Sequence, residues 1–535
     1  MKSEEPVDVL IIGAGASGAA VAWSLAETRM RIVCLEQGDF MDPAQYPSTG
    51  RDWEARTSSD FSISPNRRQL DWDYPIAEND SPIKVANFNG VGGGTVFYAG
   101  HFPRFHPSDF KVKSLDGVAD DWPIDYADLT PYYAENDRMM GLAGLAGDPA
   151  YPGDNVERME PLPLGKSGEV LAKGFNKLGW HWWPSDSTIA TQPYDGRDKC
   201  VNLGACLSGC AQGAKASTDI TYWPHAMRAG VELRTLCRVR EITVADDGRA
   251  TGALYYDKDG VEKAVKAHVV VMACNGVGTP RILLNSKSAA YPDGLANSSG
   301  LVGRNLMFHP YASILGVFEE EMDGYRGPHN IFRSQEFYET DPQRNFARGY
   351  TFEIYRGQGP VTTALTGLLR GRIPWGEGHH EAFRKLYNRI AGMVAICEDL
   401  PEEDNRVTLD AELTDTDGIP APRISYTLSE NSIRMMDHAI AKASEVLRAA
   451  GAVDIMSQAP ISYGGWHLMG TARMGTDPKR SVVNSWGRSH DVKNLFVVDG
   501  SIFVTSAGVN PTRTIQALAL YIADQIKQRL TTLFD

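Results

Sequence analysis

The chain begins with an apolar run, a glycine-rich turn and a second apolar run. Residues 7–12 are mostly apolar, the turn spans 13–18, and an alanine-rich stretch covers 19–26. The second apolar run covers 31–36 and ends in an acid, Glu36. This order predicts a strand, a tight turn, a helix and another strand. It is typical of the start of a dinucleotide-binding α/β domain.

The spacing Gly13-x-Gly15-x-x-Gly18 gives this turn its chemistry. Glycines let the backbone approach a ligand closely, and amides at the start of the next helix can receive a pyrophosphate. Glu36 lies about 20 residues beyond Gly15, where a carboxylate can bind ribose hydroxyls. An ordinary glycine-rich turn is the alternative interpretation. We place the following residues in a dinucleotide site: Gly13, Gly15, Ala16, Ser17, Gly18 and Glu36.

Further along, the pattern predicts strands and a few helices. Three consecutive strands are expected over 233–244, 250–257 and 264–274, with Asp-Gly turns between them. An amphipathic helix is expected from about 429 to 450, and 194–217 is typical of a loop. We find no internal repeat and no low-complexity segment, which favours two interleaved domains over a string of modules.

Composition and charge narrow the class of protein. The 535 residues include 42% apolar and 22% charged side chains, as in an ordinary globular protein. The net charge of -14 argues against nucleic acid as a partner. No apolar run is long enough for a direct membrane span, and no secretory signal precedes Val7. We therefore expect a cytoplasmic protein, with co-export to the periplasm alongside a signal-bearing partner as the alternative.

Two segments near the carboxyl end offer catalytic groups. Residues 465–475 place His467 before a glycine-rich turn, and 508–513 place Asn510 in a short loop before Pro511. A histidine can accept the proton of a hydroxyl while the adjacent C–H gives hydride to a flavin. An amide beside it can orient the substrate oxygen. The alternatives are a packed core histidine and a turn-forming asparagine.

Taken together, these motifs resemble the glucose–methanol–choline (GMC) flavoprotein oxidoreductases over nearly the whole chain. The matching segments are the glycine turn with Glu36, residues 91–95, residues 302–306, the two carboxyl-terminal segments, and Asp499-Gly500-Ser501. The resemblance implies a Rossmann-like FAD-binding α/β domain interleaved with an α+β substrate domain built on an antiparallel sheet. It implies an FAD domain from 1–105, 195–310 and 460–535, and a substrate domain from 106–194 and 311–459.

The resemblance also implies roles for individual residues. His467 corresponds to the active-site base, and Asn510 to its partner, which is histidine in some relatives. Some members bind FAD covalently through a histidine that aligns with Phe97; a phenyl ring cannot form that bond, so we expect non-covalent FAD. His101 lies four residues too late to replace it. Further cofactor contacts are expected at Gly92, Gly93, Gly94, Thr95, Val96, Val239, Ala273, Asp499, Gly500, Asn510, Pro511 and Thr512.

A cysteine cluster adds a second hypothesis. Cys200, Cys206 and Cys210 fall within one short loop, in a spacing that is neither that of ferredoxins nor a zinc CxxC pair. Buried thiols, zinc and a disulfide are the alternatives. The loop resembles that of bacterial sugar dehydrogenases of the same family, in which three thiolates hold a 3Fe-4S cluster. That likeness implies a small subunit and a cytochrome electron acceptor as partners.

We therefore expect an FAD-dependent dehydrogenase that oxidises a sugar, glycoside or cyclic polyol. An oxidase of the same family, using O2 and lacking a cluster, is the alternative among flavoenzymes. A nicotinamide-dependent dehydrogenase would share the first glycine turn but not the late motifs. A non-catalytic flavin-binding scaffold would not need both His467 and Asn510. Trp466, beside the base, could stack on a sugar face or belong to the core.

Overall fold

The computed structural model describes residues 5–151, 154 and 156–533. The ends of the predicted domains at 1–4 and 534–535 lie outside the described residues. The described strands are β1 Val7–Ile12, β2 Ile32–Leu35, β3 Ala77–Asp80, β4 Trp183–Pro184, β5 Glu232–Arg234, β6 Arg238–Val244, β7 Ala250–Tyr256, β8 Glu262–Met272, β9 Tyr311–Val317, β10 Asn330–Ser334, β11 Tyr350–Tyr355, β12 Ile390–Cys397, β13 Arg406–Thr414, β14 Pro420–Ser425, β15 Asp454–Gln458 and β16 Leu495–Val497.

Helices connect and cover these strands. The described α-helices are α1 Ala16–Leu25, α2 Trp53–Arg56, α3 Pro65–Arg68, α4 Val112–Asp116, α5 Tyr126–Met140, α6 Gly165–Leu178, α7 Tyr222–Arg228, α8 Asn275–Asn285, α9 Pro360–Leu369, α10 His379–Leu386, α11 Glu430–Ala450 and α12 Thr512–Gln528. Short 3-10 turns include Gly93–Thr95 and Gly500–Ile502. Among the helices described, none is long and apolar enough to span a membrane.

The first sheet has the order β5-β2-β1-β8-β7-β6, with β16 also paired to β8. Strands β5, β2, β1, β8 and β16 are parallel neighbours, whereas β7 and β6 continue antiparallel. Because parallel strands end at the same edge, the residues after β1, β2 and β8 meet there. That edge is where an α/β sheet binds its ligand. The predicted Rossmann-like fold is therefore confirmed.

The second sheet is antiparallel, in the order β15-β9-β12-β11-β10-β4. Alternate side chains of β9, β11 and β12, including Ile314, Phe352 and Met393, enter a hydrophobic core. That core also contains residues of α6 and α11. Since side chains alternate across a strand, the residues between them face the other side. Those residues line a cavity, and the sheet thus forms one wall of the candidate site.

The third sheet, β13-β14-β3, joins distant parts of the chain. Strand β3 falls in the predicted FAD domain but pairs in parallel with β14, in the predicted substrate domain. The strands of the first sheet all lie in ranges assigned to the FAD domain, and those of the second in ranges assigned to the substrate domain. The exact domain boundaries stay a prediction.

The predicted elements agree with the structure except in one strand. Residues 233–244 do not form one continuous strand, because Leu236 lies in the left-handed backbone region with φ of 54°. The chain therefore leaves β2 after β5 and pairs antiparallel with β7 through β6. The late helix is confirmed as α11, and Ser429 caps it by accepting from the Ser432 amide at 3.0 Å.

Candidate active site

A cleft of about 180 Å³ opens at the carboxyl edge of the first sheet. It brings together segments that are far apart in sequence: the first glycine turn, the 93–95 turn, the end of β8 and the start of α12. Most of the predicted cofactor residues line it: Gly13, Gly15, Ala16, Ser17, Glu36, Gly93, Gly94, Thr95, Val239, Ala273, Asp499, Gly500, Pro511 and Thr512. His467 lines it as well.

The start of α1 presents free backbone donors to this cleft. Gly15 is the N-cap residue, and no side chain caps the helix. The amides of the first turn are then available to an anion, which the helix dipole also favours. A Cβ atom on Gly93 would lie 2.7 Å from Cα of Gly15, so the two glycine turns approach each other as only glycines can. This arrangement suits a pyrophosphate.

Glu36 is buried at the end of β2, where it holds the glycine turn. Its Oε2 accepts from the Ala14 amide at 2.7 Å, and its Oε1 accepts from the Gly38 amide at 3.0 Å. A carboxylate has about four acceptor positions, so others are left for ribose hydroxyls. Burial raises the pKa of Glu36. The carboxylate thus shapes the turn in addition to its predicted contact with a ribose.

Four predicted cofactor residues lie elsewhere. A Cβ on Gly18 would lie 2.0 Å from the Gly13 carbonyl, so this glycine allows the helix to pack on the strand. Gly92 lies against Val96 and Asp219, at φ 96°. Val96 is buried in an aromatic cluster with Phe88 and Phe97. Asn510 lines a second cavity instead. The assignment of these residues to the cofactor stays a prediction.

Asp499 ties the cleft's far wall together. Its carboxylate accepts from the Asn275 amide at 3.1 Å, the Thr279 hydroxyl at 2.6 Å and the Ser501 amide at 2.9 Å. These bonds connect the end of β16 to the start of α8. Asp499 therefore holds together the segments that form this side of the cleft.

The second cavity adjoins the cleft and has a volume of about 320 Å³. Trp466, His467, Gly94 and Thr512 line both spaces. The wall from the second sheet includes side chains that alternate with the core residues: Tyr311 and Ser313 on β9, Asn330 on β10, Glu353 and Tyr355 on β11, and Val394 on β12. A cavity of this size suits a small molecule. His467 stands where the two spaces meet.

Two neighbouring segments fix the backbone around His467. The Met469 amide donates to the Met307 carbonyl at 3.1 Å, and the Gly470 amide donates to the Gly500 carbonyl at 3.1 Å. Gly470 has φ of 89°, and a Cβ there would lie 2.2 Å from the Asn305 carbonyl. The glycine-rich turn after the histidine is therefore needed for close backbone packing.

His309, which sequence analysis missed, sets the proton position on His467. Its Nε2 lies 2.7 Å from the Ala507 carbonyl and 3.2 Å from the Ser506 carbonyl. Carbonyls only accept, so a neutral His309 carries its proton on Nε2. Its Nδ1 must then accept from Nδ1–H of His467, 2.6 Å away. This leaves the Nε2 lone pair of His467 free to act as a base.

Burial keeps both imidazoles neutral. Desolvation lowers the pKa of His309 to about 4. It lowers the pKa of His467 well below the usual value, and the nearby His309 and His101 lower it further. A neutral histidine can accept a proton, so His467 is in the form that a base requires. The sequence signal for His309 was its place three residues after the matched 302–306 segment.

Buried ion pairs hold the segment that carries Asn510. Arg513, three residues later, is fully buried. Its Nε donates to Asp137 Oδ1 at 2.7 Å, and its Nη1 donates to the Phe102 carbonyl at 3.0 Å. Asp137 also accepts from Arg104 at 2.8 Å. The network fixes the start of α12 against α5 and so positions the loop before it.

Phe97 and His101 are the two positions considered for covalent attachment of the flavin. Phe97 packs against Phe88, with ring centroids 4.8 Å apart, although it also reaches the second cavity. His101 lines that cavity and forms an ion pair with Glu353. Non-covalent binding of a flavin stays the expectation at this position.

The three clustered cysteines line one small cavity of about 20 Å³. Burial raises the pKa of Cys200, and that of Cys206 to about 11. Lys215 anchors the loop, since its Nζ donates to the carbonyls of Val96 at 2.8 Å, Tyr98 at 2.7 Å and Cys206 at 2.7 Å. Within the described residues, no group of three or more His, Cys, Asp or Glu side chains is arranged to hold a metal ion.

Comparison with known proteins assigns the family. The GMC oxidoreductase models match residues 7–311 and 401–519. The chain is 41% identical to 2-methyl-1,2-propanediol dehydrogenase of Mycolicibacterium austroafricanum, over 100% of this chain and 97% of that protein. It is 29% identical to the fructose dehydrogenase large subunit of Gluconobacter japonicus, over 97% of each.

A solved structure shows the same fold. Pyridoxine 4-oxidase from Mesorbium loti superposes with a TM-score of 0.65 at 17% identity, covering 98% of this chain and 99% of that one. At this identity the likeness concerns the fold alone. With the family models and the relative at 41% identity, it confirms the resemblance predicted from the motifs. The chain belongs to the GMC oxidoreductase family, whose members are FAD-binding enzymes that act on alcohol or sugar groups.

Proposed function

We propose that this enzyme oxidises a hydroxyl-bearing carbon of a small polyol or sugar, with His467 as the base. The observation that carries the proposal is the position of His467. It lies where the cleft meets the second cavity, and its hydrogen bond to His309 leaves Nε2 free. A substrate in the second cavity would then present its hydroxyl to the base and its carbinol carbon to the cleft.

The residues of the cleft fit FAD. The closely packed glycine turns and the uncapped start of α1 suit its pyrophosphate, and Glu36 lies at the end of β2 for its adenosine ribose. Gly94, Pro511 and Thr512 would approach the flavin ring near His467. When bound, FAD supplies the acceptor for the hydride that leaves the carbinol carbon.

The side chains around the second cavity would act on the hydroxyl of the substrate. Nε2 of His467 accepts the hydroxyl proton, while its Nδ1–H stays hydrogen-bonded to His309. The amide of Asn510 donates to the substrate oxygen and stabilises the negative charge that develops there. The network around Arg513 holds that amide in place. The product is the corresponding carbonyl compound.

Two observations support the substrate class. The cavity of about 320 Å³ admits a small molecule. The relative at 41% identity is named for a small diol, and the one at 29% for a sugar. We therefore propose a small diol, polyol or sugar, of which the cyclic polyols and glycosides expected from sequence are a part.

Anaerobic stopped-flow reduction tests this proposal. Protein reconstituted with FAD is mixed with 1,2-propanediol, D-fructose or myo-inositol, and loss of flavin absorbance is followed. At least one compound should reduce the flavin, and His467→Ala should slow that reduction by roughly 10²–10⁴-fold. Reduction at the wild-type rate by the variant would overturn the role of His467. No reduction by any alcohol would overturn the function.

The route by which electrons leave is a second part of the proposal. We favour a dehydrogenase that uses a protein acceptor, through a 3Fe-4S cluster on Cys200, Cys206 and Cys210, a small subunit and a cytochrome. The shared cysteine cavity and the similarity to the fructose dehydrogenase large subunit support this route. As arranged among the described residues, the three thiols do not fit a cluster. An oxidase using O2 is the alternative.

Iron and acid-labile sulfide, measured on protein purified without oxygen, distinguish the two routes. About three irons per chain would support the cluster. In that case Cys206→Ser should abolish electron transfer to a cytochrome while flavin reduction continues. Protein without iron whose reduced flavin reacts rapidly with O2 would favour the oxidase, and the cysteines would then be packing residues.

A further inference from the structure

The second cavity contains a buried acid–imidazole pair in addition to the base. Glu353 on β11 lines the cavity and forms an ion pair with Nδ1 of His101. The side chains are 15% and 2% exposed. Phe352 and Ile354, on either side in the strand, belong to the core. Because side chains alternate along β11, the strand fixes the direction of Glu353 toward the cavity.

Several buried polar atoms around this cavity lack a partner in the described part of the chain. They are Nε2 of His101, Oδ1 of Asn510 and Nε1 of Trp466. All three side chains line the cavity. A buried polar atom without a hydrogen bond is costly, so a ligand or water is expected to satisfy it. Their distribution indicates an occupant that is polar at more than one position.

The pair and the base also interact electrostatically. The charge of His101 helps to lower the pKa of His467. The charge of Glu353, in contrast, raises the pKa of His309. Asn510 and His467 line the same cavity as the pair. A single small molecule in this cavity can therefore contact the Glu353–His101 pair as well as His467 and Asn510.

This inference rests on the proposed function and specifies its substrate. We propose that the Glu353–His101 pair binds a second hydroxyl group, so that diols and polyols are selected over alcohols with a single hydroxyl. A carboxylate has more acceptor positions than His101 uses, and a substrate hydroxyl can donate to one of them. A compound lacking that hydroxyl leaves the buried carboxylate without the bond, which lowers its affinity.

Binding of two unreactive alcohols tests this selectivity without turnover. The probes are 2,3-dimethyl-2,3-butanediol and 2,3-dimethyl-2-butanol, which differ in one hydroxyl and have no hydrogen on the carbinol carbon. Isothermal titration of the FAD-loaded enzyme gives both dissociation constants. We expect the diol to bind roughly 10- to 100-fold more tightly, the range for a hydrogen bond to a charged group. Equal affinities in the wild-type enzyme would overturn the proposal.

The variant Glu353→Gln assigns the selectivity to this carboxylate. It keeps the shape of the side chain but removes the charge, and it should reduce the affinity ratio by roughly tenfold. The control Glu381→Gln changes an exposed acid that pairs with Lys385, and it should leave both affinities unchanged. Equal weakening of both probes by Glu353→Gln would mean that the residue maintains the cavity without recognising the second hydroxyl.

Two further outcomes are distinguishable. If 3-amino-2,3-dimethyl-2-butanol binds more tightly than the diol, and only when Glu353 is intact, the pair is an ammonium site and the proposal is wrong. If the diol selectivity is observed but no alcohol reduces the flavin, the hydroxyl site stands and the proposed oxidation fails. The wild-type comparison also does not depend on whether the variant folds.

Discussion

His309 Nδ1 lies 2.6 Å from Nδ1 of His467, and the far side of the His309 ring is held by the Ala507 carbonyl at 2.7 Å. The carbonyl fixes the proton on His309, and His309 in turn fixes the proton on His467. The free Nε2 lone pair of His467 is thus fixed by hydrogen bonds within the protein and does not depend on the substrate.

His309→Phe should slow flavin reduction by roughly 10- to 100-fold, because the ring volume is kept but the proton position on His467 is no longer fixed. Stopped-flow reduction at several alcohol concentrations separates this loss from binding, which should change little. His380→Phe, at an exposed histidine, is the control. Weaker alcohol binding with an unchanged limiting rate would show that His309 only packs the cavity.

The pH profile of flavin reduction should report the lowered pKa of His467. Burial, His309 and His101 disfavour the protonated form, so the base remains unprotonated to more acidic pH than a free histidine. The limiting rate should be level at neutral pH and should fall only below about pH 6.5, the ordinary histidine value. A midpoint of the acidic limb at or above pH 7 would contradict this expectation.

Glu36→Ala should weaken FAD binding by roughly tenfold or more. The substitution removes two backbone hydrogen bonds to a buried carboxylate as well as the predicted ribose contact. FAD affinity is measured by fluorescence titration of the apoenzyme. Once loaded with FAD, the variant should be reduced at the wild-type rate. The reason is that Glu36 is assigned to the ribose of FAD, whereas the hydroxyl proton is accepted by His467. The control is Glu232→Ala, at an exposed acid on β5. An equal loss of FAD affinity in both variants would argue against the assignment of Glu36 to the cofactor.

Arg513→Met should destabilise the protein by about 3–5 kcal/mol, the range for breaking a buried ion pair from one side. Asp137 would lose its bonds from Arg513 Nε at 2.7 Å and Nη2 at 2.5 Å, and would keep the bond from Arg104 at 2.8 Å. Urea unfolding followed by fluorescence measures the change. Arg434→Met removes an exposed pair with Glu430 and should change little. Similar effects of both substitutions would mean that the buried network adds no stability.

Much of the fold could be predicted from the sequence because its signals are local. The apolar run, glycine spacing and strand-end acid identified β1, the turn, α1 and β2, and the 3.6-residue period identified α11. The break at Leu236 was missed because it depends on pairing: Leu236 N donates to the Gly38 carbonyl and Cys237 N to the Glu36 carbonyl. No local pattern reports such a contact.

The site shows the same division. His467 and Asn510 were found because each stands in a recognisable motif, whereas His309 is 158 residues from its partner. His101 was weighed only as a possible flavin attachment point, and its partner Glu353 had no motif at all. These residues meet because the second sheet brings β11 against the segment after the glycine turn, and that proximity exists only in three dimensions.

The alternation along β9, β11 and β12 separates two kinds of sequence change. Ile314, Phe352 and Met393 are buried in the core, so substitutions there disturb folding. Ser313, Glu353 and Val394 lie in one cross-strand row facing the cavity, and substitutions there change the lining that a substrate meets. His467 and the flavin cleft come from other segments. Descendants of one ancestral enzyme can therefore diverge in the alcohol they oxidise while inheriting the oxidation chemistry intact.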